Sequence, residues 1–138
     1  MYTLRRTEDL DEVRELHNLT FPLDEWVGDD REFWIVRDAD GQGVGFCAAM
    51  YQPSSNCVAL DRAGVIDTAH GAGLQKRMIR ARLRWARSLG ATGAIAYCAL
   101  RNHQSIVNLL KCGFRFYSSE TPSDYVDEDA FHFMRIQL

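Results

Sequence analysis

The spacing of apolar and polar positions divides the chain into short alternating segments and longer periodic ones. "YTLRR" (Tyr2 to Arg6) alternates and predicts a first strand. From Glu8 to Leu19 the residues Leu10, Val13, Leu16 and His17 recur at helical spacing with acids between them. That pattern predicts an amphipathic helix with Thr7 as its N-cap, stopped by Pro22. Phe33 to Arg37 and Val44 to Tyr51 flank a polar turn at Asp38 to Gln42, the pattern of a hairpin. "PSSN" turns the chain again into a strand from Cys57 to Ile66. After the loop "DTAHGAGLQ" comes the longest helix, with an apolar stripe at Leu74, Met78, Ala81, Trp85 and Leu89 and a stop at Gly90.

"GAIAYCAL" (Gly93 to Leu100) is an almost unbroken apolar run of strand length, which predicts a strand buried on both faces. A helix follows from about His103 to Lys111 and stops at Gly113. "FRFYSS" and "AFHFMRIQL" predict two more strands, joined by the polar segment "ETPSDYVDED". The order is mixed α/β, with early strands antiparallel through tight turns and a later strand–helix–strand unit implying a parallel pair. At 138 residues with no repeats or linkers, one domain spanning 1–138 is expected.

Composition adds little, at 46% hydrophobic and 25% charged residues, the balance of an ordinary globular chain. No apolar run reaches the roughly 20 residues of a membrane span, and the first residues carry no apolar core of a signal peptide. A cytoplasmic protein with no membrane partner is expected. Cys47, Cys57, Cys98 and Cys112 are widely separated among apolar neighbours, so buried thiols are expected and no metal site.

Charge segregation changes the picture more. Ten of the nineteen acids lie in the first 32 residues, whereas Lys76 to Arg87 carries six basic residues and no acid. The basic segment is preceded by His70-Gly71-Ala72-Gly73-Leu74-Gln75 at a strand-to-helix junction. Helix starts expose unpaired N–H groups with partial positive charge, and glycines let a ligand approach the main chain, so this turn suits a phosphate. It matches neither the P-loop spacing nor a dinucleotide fingerprint. The total charge of -3 argues against nucleic acid as the partner.

With these motifs in place, the sequence resembles the GNAT superfamily of acyl-CoA-dependent N-acyltransferases. The likeness rests on the 70–75 turn against the family pattern [QR]-x-x-G-x-[GA], on Asn102 in "CALRNHQS", and on Lys111-Cys112-Gly113-Phe114 against a family "K-x-G-F" helix ending. It implies a GNAT-like α/β (α+β) fold: a mostly antiparallel central sheet with a splayed parallel pair, flanked by helices. It implies acetyl transfer from acetyl-CoA, used as co-substrate without a metal, to a primary amine of a small molecule or protein. The alternative is a catalytically weak CoA-binding sensor or interaction module. The main chain of Val65 and Asp67 would pair with pantetheine, and His70, Gly71, Gly73, Leu74, Gln75 and Lys76 would hold the pyrophosphate. Asn102 would contact pantetheine or product. The family's general-acid tyrosine falls at Leu109, so that acid is absent.

For proton removal the expected base is Asp61, a carboxylate sharing a strand face with Ala59, Ala63 and Val65. Tyr97 and Tyr117 are the candidates to stand in for the absent acid, and Cys98 is a candidate to lie near the acceptor. Asp24, Glu25, Asp29 and Asp30 around Trp26 and Phe21 make an acidic, aromatic rim suited to a cationic amine. An edge strand in "AFHFMRIQL" leaves monomer or homodimer open.

Overall fold

The structure is a computed structural model that describes residues 1–117 and 131–138. The elements are β1 (Thr3–Thr7), α1 (Leu10–Thr20), β2 (Glu32–Arg37), β3 (Gly43–Gln52), β4 (Cys57–Val65), α2 (Leu74–Ser88), β5 (Gly93–Ala99), α3 (His103–Lys111), β6 (Arg115–Phe116) and β7 (Phe131–Gln137). A short 3-10 turn, Asp67–Ala69, separates β4 from α2. The strands form one mixed sheet in the order β1-β2-β3-β4-β5-β7-β6. The expected segment "ETPSDYVDED" and the end of "FRFYSS" lie outside the described residues. None of the described helices is long and apolar enough to cross a membrane.

The chain forms two compact units. One comprises Met1–Met50 with Asp61–Met78, the other Tyr51–Leu60 with Ile79–Leu138. In the first, β1 pairs antiparallel with β2 from Thr3↔Arg37 to Thr7↔Phe33, and β2 pairs antiparallel with β3. Its core is Val13, Leu16, Phe33, Ile35, Phe46 and Ala48, with Phe21, Trp26 and Ile66 packed against it. The helix cap is Asp9 rather than Thr7. Asp9 Oδ1 accepts from the Glu12 amide at 3.2 Å, while Thr7 ends β1 and its hydroxyl accepts from the Asp9 amide at 3.1 Å. Both are short polar side chains able to cap, and the one nearer the apolar stripe takes the role.

The last turn of α1 lies directly on β4. A Cβ added at Gly64 would stand 2.4 Å from Thr20 Oγ1 and 3.0 Å from Phe21 Cε2. Gly45 on β3 repeats the crowding, since a Cβ there would meet the Gly64 carbonyl at 2.9 Å. Both glycines are therefore required by close packing.

In the second unit β4 and β5 run parallel from Cys57↔Gly93 to Leu60↔Ala96, and β5 and β7 run antiparallel from Gly93↔Gln137 to Ala99↔Phe131. Ala94, Ala96, Cys98, Ile106, Leu109, Phe114 and Met134 are all buried. The expectation that β5 is buried on both faces is corrected, because Tyr97 and Ala99 are exposed on the face opposite Ala96 and Cys98. Small residues made the run look uniformly apolar without filling the second face. Leu89 is also exposed, since α2 ends at Ser88, while Arg82 is buried on that helix.

Asn56 holds one end of this unit in a left-handed conformation, φ 52°. Its side chain donates to the Gly90 carbonyl at 3.1 Å and accepts from the Tyr51 hydroxyl at 2.7 Å, and its carbonyl accepts from the Thr92 amide at 2.8 Å.

Two outcomes are expected from this packing. Gly64→Ala should destabilise the protein by about 1–3 kcal/mol through overpacking, and Thr20→Ala added to it should recover part of the loss; thermal denaturation of the three variants measures both. Burial raises the Cys98 thiol from 9.0 to about 11. The unfolded chain thus releases this proton before the folded one, and stability falls as pH rises across that window. Cys98→Ala should show a smaller drop in urea midpoint between the two ends of it.

Candidate functional site

A pocket of about 530 Å³ opens in the first unit. It is bounded by the end of α1 (Leu19, Thr20, Phe21), the end of β4 (Ala63 to Val65) and the turn into α2 (Ile66, Asp67, His70, Gln75). Leu19, Phe21, Ala63, Val65 and Ile66 give it an apolar lining, and Thr20, Asp67, His70 and Gln75 add polar groups. Of the expected cofactor residues, Val65, Asp67, His70 and Gln75 line this pocket, and Gly71, Gly73, Leu74 and Lys76 continue the same turn.

The turn has the backbone a phosphate site needs. Gly71 and Gly73 adopt φ 84° and 73°, the left-handed region that favours glycine. A Cβ at either would meet nothing within 4 Å, so the space above the turn is open. The first backbone bond into α2 runs from the Arg77 amide to the Gly73 carbonyl at 3.3 Å. Helix geometry leaves the amides of Leu74, Gln75 and Lys76 without intrahelical acceptors, at the positive end of the helix. Arg77 turns away from this turn, donating twice to the Tyr2 carbonyl at 3.2 Å.

His70 folds back onto the strand end. Its Nε2 lies 2.8 Å from the Val65 carbonyl. A carbonyl only accepts, so Nε2 carries the proton and donates. The Asp67 carboxylate is more distant, 3.9 Å from the same nitrogen.

Asp61 sits on β4 ahead of the pocket. Its carboxylate is ion-paired with Arg31 and accepts from the Arg62 amide at 2.9 Å. Arg31 also reaches Asp30 at 2.7 Å. In the same rim Asp29 is likewise occupied by one of the protein's own cations. Asp29 accepts from the Trp26 indole at 2.7 Å and from Arg14 at 3.1 Å, and the Arg14 guanidinium stands 5.2 Å from the Trp26 ring centre. The Trp26 hydrogen bond, assisted by Arg14, holds the Asp29 carboxyl below the usual carboxylate range. Asp24 and Glu25 keep exposed side chains.

Sequence reasoning missed the centre of this region. His17 is fully buried, and its Nε2 lies 2.7 Å from Arg62 Nη1. Arg62 also donates to the Glu25 carbonyl at 2.8 Å. The only advance signal was His17 falling on the apolar stripe of α1.

The remaining candidates belong to the second unit. Asn102 caps α3, its Oδ1 accepting from the Ser105 amide at 3.2 Å. Leu109, where the family tyrosine would fall, is a buried core residue. Tyr97 and Tyr117 stand edge-on to Phe133, with ring centres 5.1 and 6.1 Å from it. Burial pushes both phenols up, and for Tyr117 the Tyr97 charge adds to this while Arg135 opposes it. Among the described residues no group of three or more metal-ligating side chains comes together.

Comparison with known proteins places this architecture. Residues 1–114 match the family model described as the Acetyltransferase (GNAT) family. No curated protein matches. Among solved structures, an IAA acetyltransferase from Bacillus cereus superposes with TM-score 0.82 at 14% identity, covering 100% of both chains. A Bacillus subtilis acetyltransferase in complex with CoA gives 0.78 at 17% identity, covering 100% of this chain and 99% of that one. The ribosomal-protein-S18-alanine N-acetyltransferase of Escherichia coli gives 0.77 at 14% identity, with 99% and 94% covered. At such identities the structural likeness establishes the fold, and the family model covers most of the sequence, so the chain belongs to the GNAT acetyltransferase family.

Proposed function

We propose that this protein transfers an acetyl group from acetyl-CoA to a primary amine of a small molecule or protein, by direct attack of the amine on the thioester. The observation that carries the reading is the pocket at the end of β4, whose lining includes His70 and Gln75 on either side of the left-handed glycine turn that opens α2. An apolar wall, strand-end main chain and a helix start follow one another in the order that an acyl group, a pantetheine arm and a diphosphate would need. The CoA complex of the Bacillus subtilis relative supports the choice of cofactor.

Acetyl-CoA supplies the activated acyl group as co-substrate. In this reading the main chain of Val65 and Asp67 pairs with the pantetheine amides, which requires the His70 side chain to release or share the Val65 carbonyl. The amides of Gly71, Gly73, Leu74, Gln75 and Lys76 hold the diphosphate, each a charge-assisted bond. The Val65 amide polarises the thioester carbonyl, and Asn102 serves the pantetheine or product. Asp61 takes the amine proton, directly or through a water, with Arg31 fixing the carboxylate's orientation. Asp24 and Glu25 offer negative charge to a cationic acceptor. Departure of the CoA thiolate needs little help, since a free thiol has a pKa of about 8.5.

A second reading is favoured by one observation. With Leu109 buried, no hydroxyl stands at the family's acid position, which suits a CoA-binding module of little activity. Incubation with acetyl-CoA and a panel of amines, following free thiol, separates the two. Thiol release dependent on an amine supports transfer. Thermal stabilisation by CoA with no thiol release supports the module.

Gly73→Glu should abolish CoA binding by calorimetry, because it puts bulk and negative charge where the diphosphate is held; unchanged affinity would place the cofactor elsewhere. Asp61→Asn should lower turnover by about 10²–10⁴-fold, the usual worth of a general base, while CoA affinity changes little. An unaltered pH–rate profile in that variant would remove Asp61 from the chemistry.

A further inference from the structure

Phe21 follows the last turn of α1 and lines the pocket, and its ring is clamped. The Arg62 guanidinium stands 5.3 Å from the ring centre, the His17 ring 5.7 Å, and the Phe46 ring 6.2 Å and nearly perpendicular at 81°. Beneath it is Gly64, which leaves no room even for a methyl group. The clamp is itself fixed. A guanidinium only donates, so the bond from Arg62 makes His17 Nε2 the acceptor and leaves the imidazole proton on Nδ1. That nitrogen faces Asn18 Oδ1 at 3.3 Å. The second Arg62 bond, to the Glu25 carbonyl, ties down the segment that follows Phe21. The ring is thus packed against groups that are themselves held in place.

We propose that Phe21 is the specificity-determining wall that limits the length of the acyl chain, and that Arg62 is the positioning residue that holds it. The proposal rests on the acyl-CoA reading above. There the thioester carbonyl lies at the main chain of Val65, and Phe21 covers the preceding residue, Gly64. An acetyl group ends before the ring, whereas a longer chain on the α1 side meets an aromatic face that cannot retreat. A soft wall would adapt to extra methylenes; a clamped one rejects them.

The test is binding of CoA, acetyl-CoA and hexanoyl-CoA by calorimetry, which needs no knowledge of the acceptor. The wild-type protein should prefer acetyl-CoA to hexanoyl-CoA by about tenfold or more, the scale at which pockets discriminate methylenes. Phe21→Ala should bring that ratio towards one by strengthening hexanoyl-CoA binding, with CoA affinity little changed. Phe21→Leu, which keeps an apolar residue on the core, should move the ratio the same way and decides the matter if the alanine variant does not fold. Arg62→Met, which retains the stem and loses the bonds to His17 and Glu25, should also relax the ratio, a change that mere destabilisation would not produce. A wild-type protein that takes hexanoyl-CoA as tightly as acetyl-CoA overturns the wall, as does an unchanged ratio in both Phe21 variants; in either case CoA binding leaves the broader reading intact. Failure of the wild-type protein to bind CoA at all overturns both.

Discussion

The contact on which the first unit depends is the seating of α1 against Gly64. A helix can approach a strand this closely only where the strand offers no side chain, and Thr20 and Phe21 occupy the space that any other residue would fill. The approach sets the height of the pocket wall over β4. It also brings His17 within reach of Arg62, so a partly buried polar bond forms where two elements distant in sequence meet. Such a bond adds little net stability but makes every misaligned arrangement costly, because each would leave a buried imidazole unsatisfied. Helix, strand and the segment after Phe21 are thereby held in one arrangement.

The electrostatics of the acidic rim follow from the same economy. Its carboxylates attract cations, and the nearest cations are the protein's own arginines. Arg14 lies over Trp26 and bonds Asp29, Arg31 bridges Asp30 and Asp61, and Arg62 lies against Phe21. A cationic amine arriving there meets a surface already partly neutralised. Exposed Asp24 and Glu25 remain the places where its charge would be felt. The aromatic faces, by contrast, carry guanidinium groups that a ligand would have to displace.

Most of the element order was legible because each element carries its own period: Val13 and Leu16 in α1, and the glycine turn before α2. Legibility fell where the outcome depended on neighbours. Thr7 and Asp9 are equally good caps by composition, and only the path of β1 decides between them. "GAIAYCAL" looks buried on both faces until Tyr97 and Ala99 are placed opposite Ala96 and Cys98. The sharp turn before α2 was readable, since Gly71 and Gly73 admit a positive φ at no steric cost. The Arg62–His17 pair spans 45 positions and has no local signature, because such an arginine–histidine bond exists only once the fold has formed. Asp61 illustrates the same limit. Its strand face was readable, but its pairing with Arg31, 30 residues away, was not.

Asn56 gives the far end of the β3–β4 connection a different kind of constraint. One amide group supplies a donor to Gly90 and an acceptor to Tyr51, while the backbone beneath it holds a twist that few side chains tolerate. Variation along this connection is therefore lopsided. Pro53, Ser54 and Ser55 could be exchanged or lengthened at small entropic cost, whereas at position 56 glycine would keep the twist but lose both side-chain bonds, and most other residues would lose both. Even aspartate, of nearly identical shape, would set two oxygen acceptors face to face at Gly90.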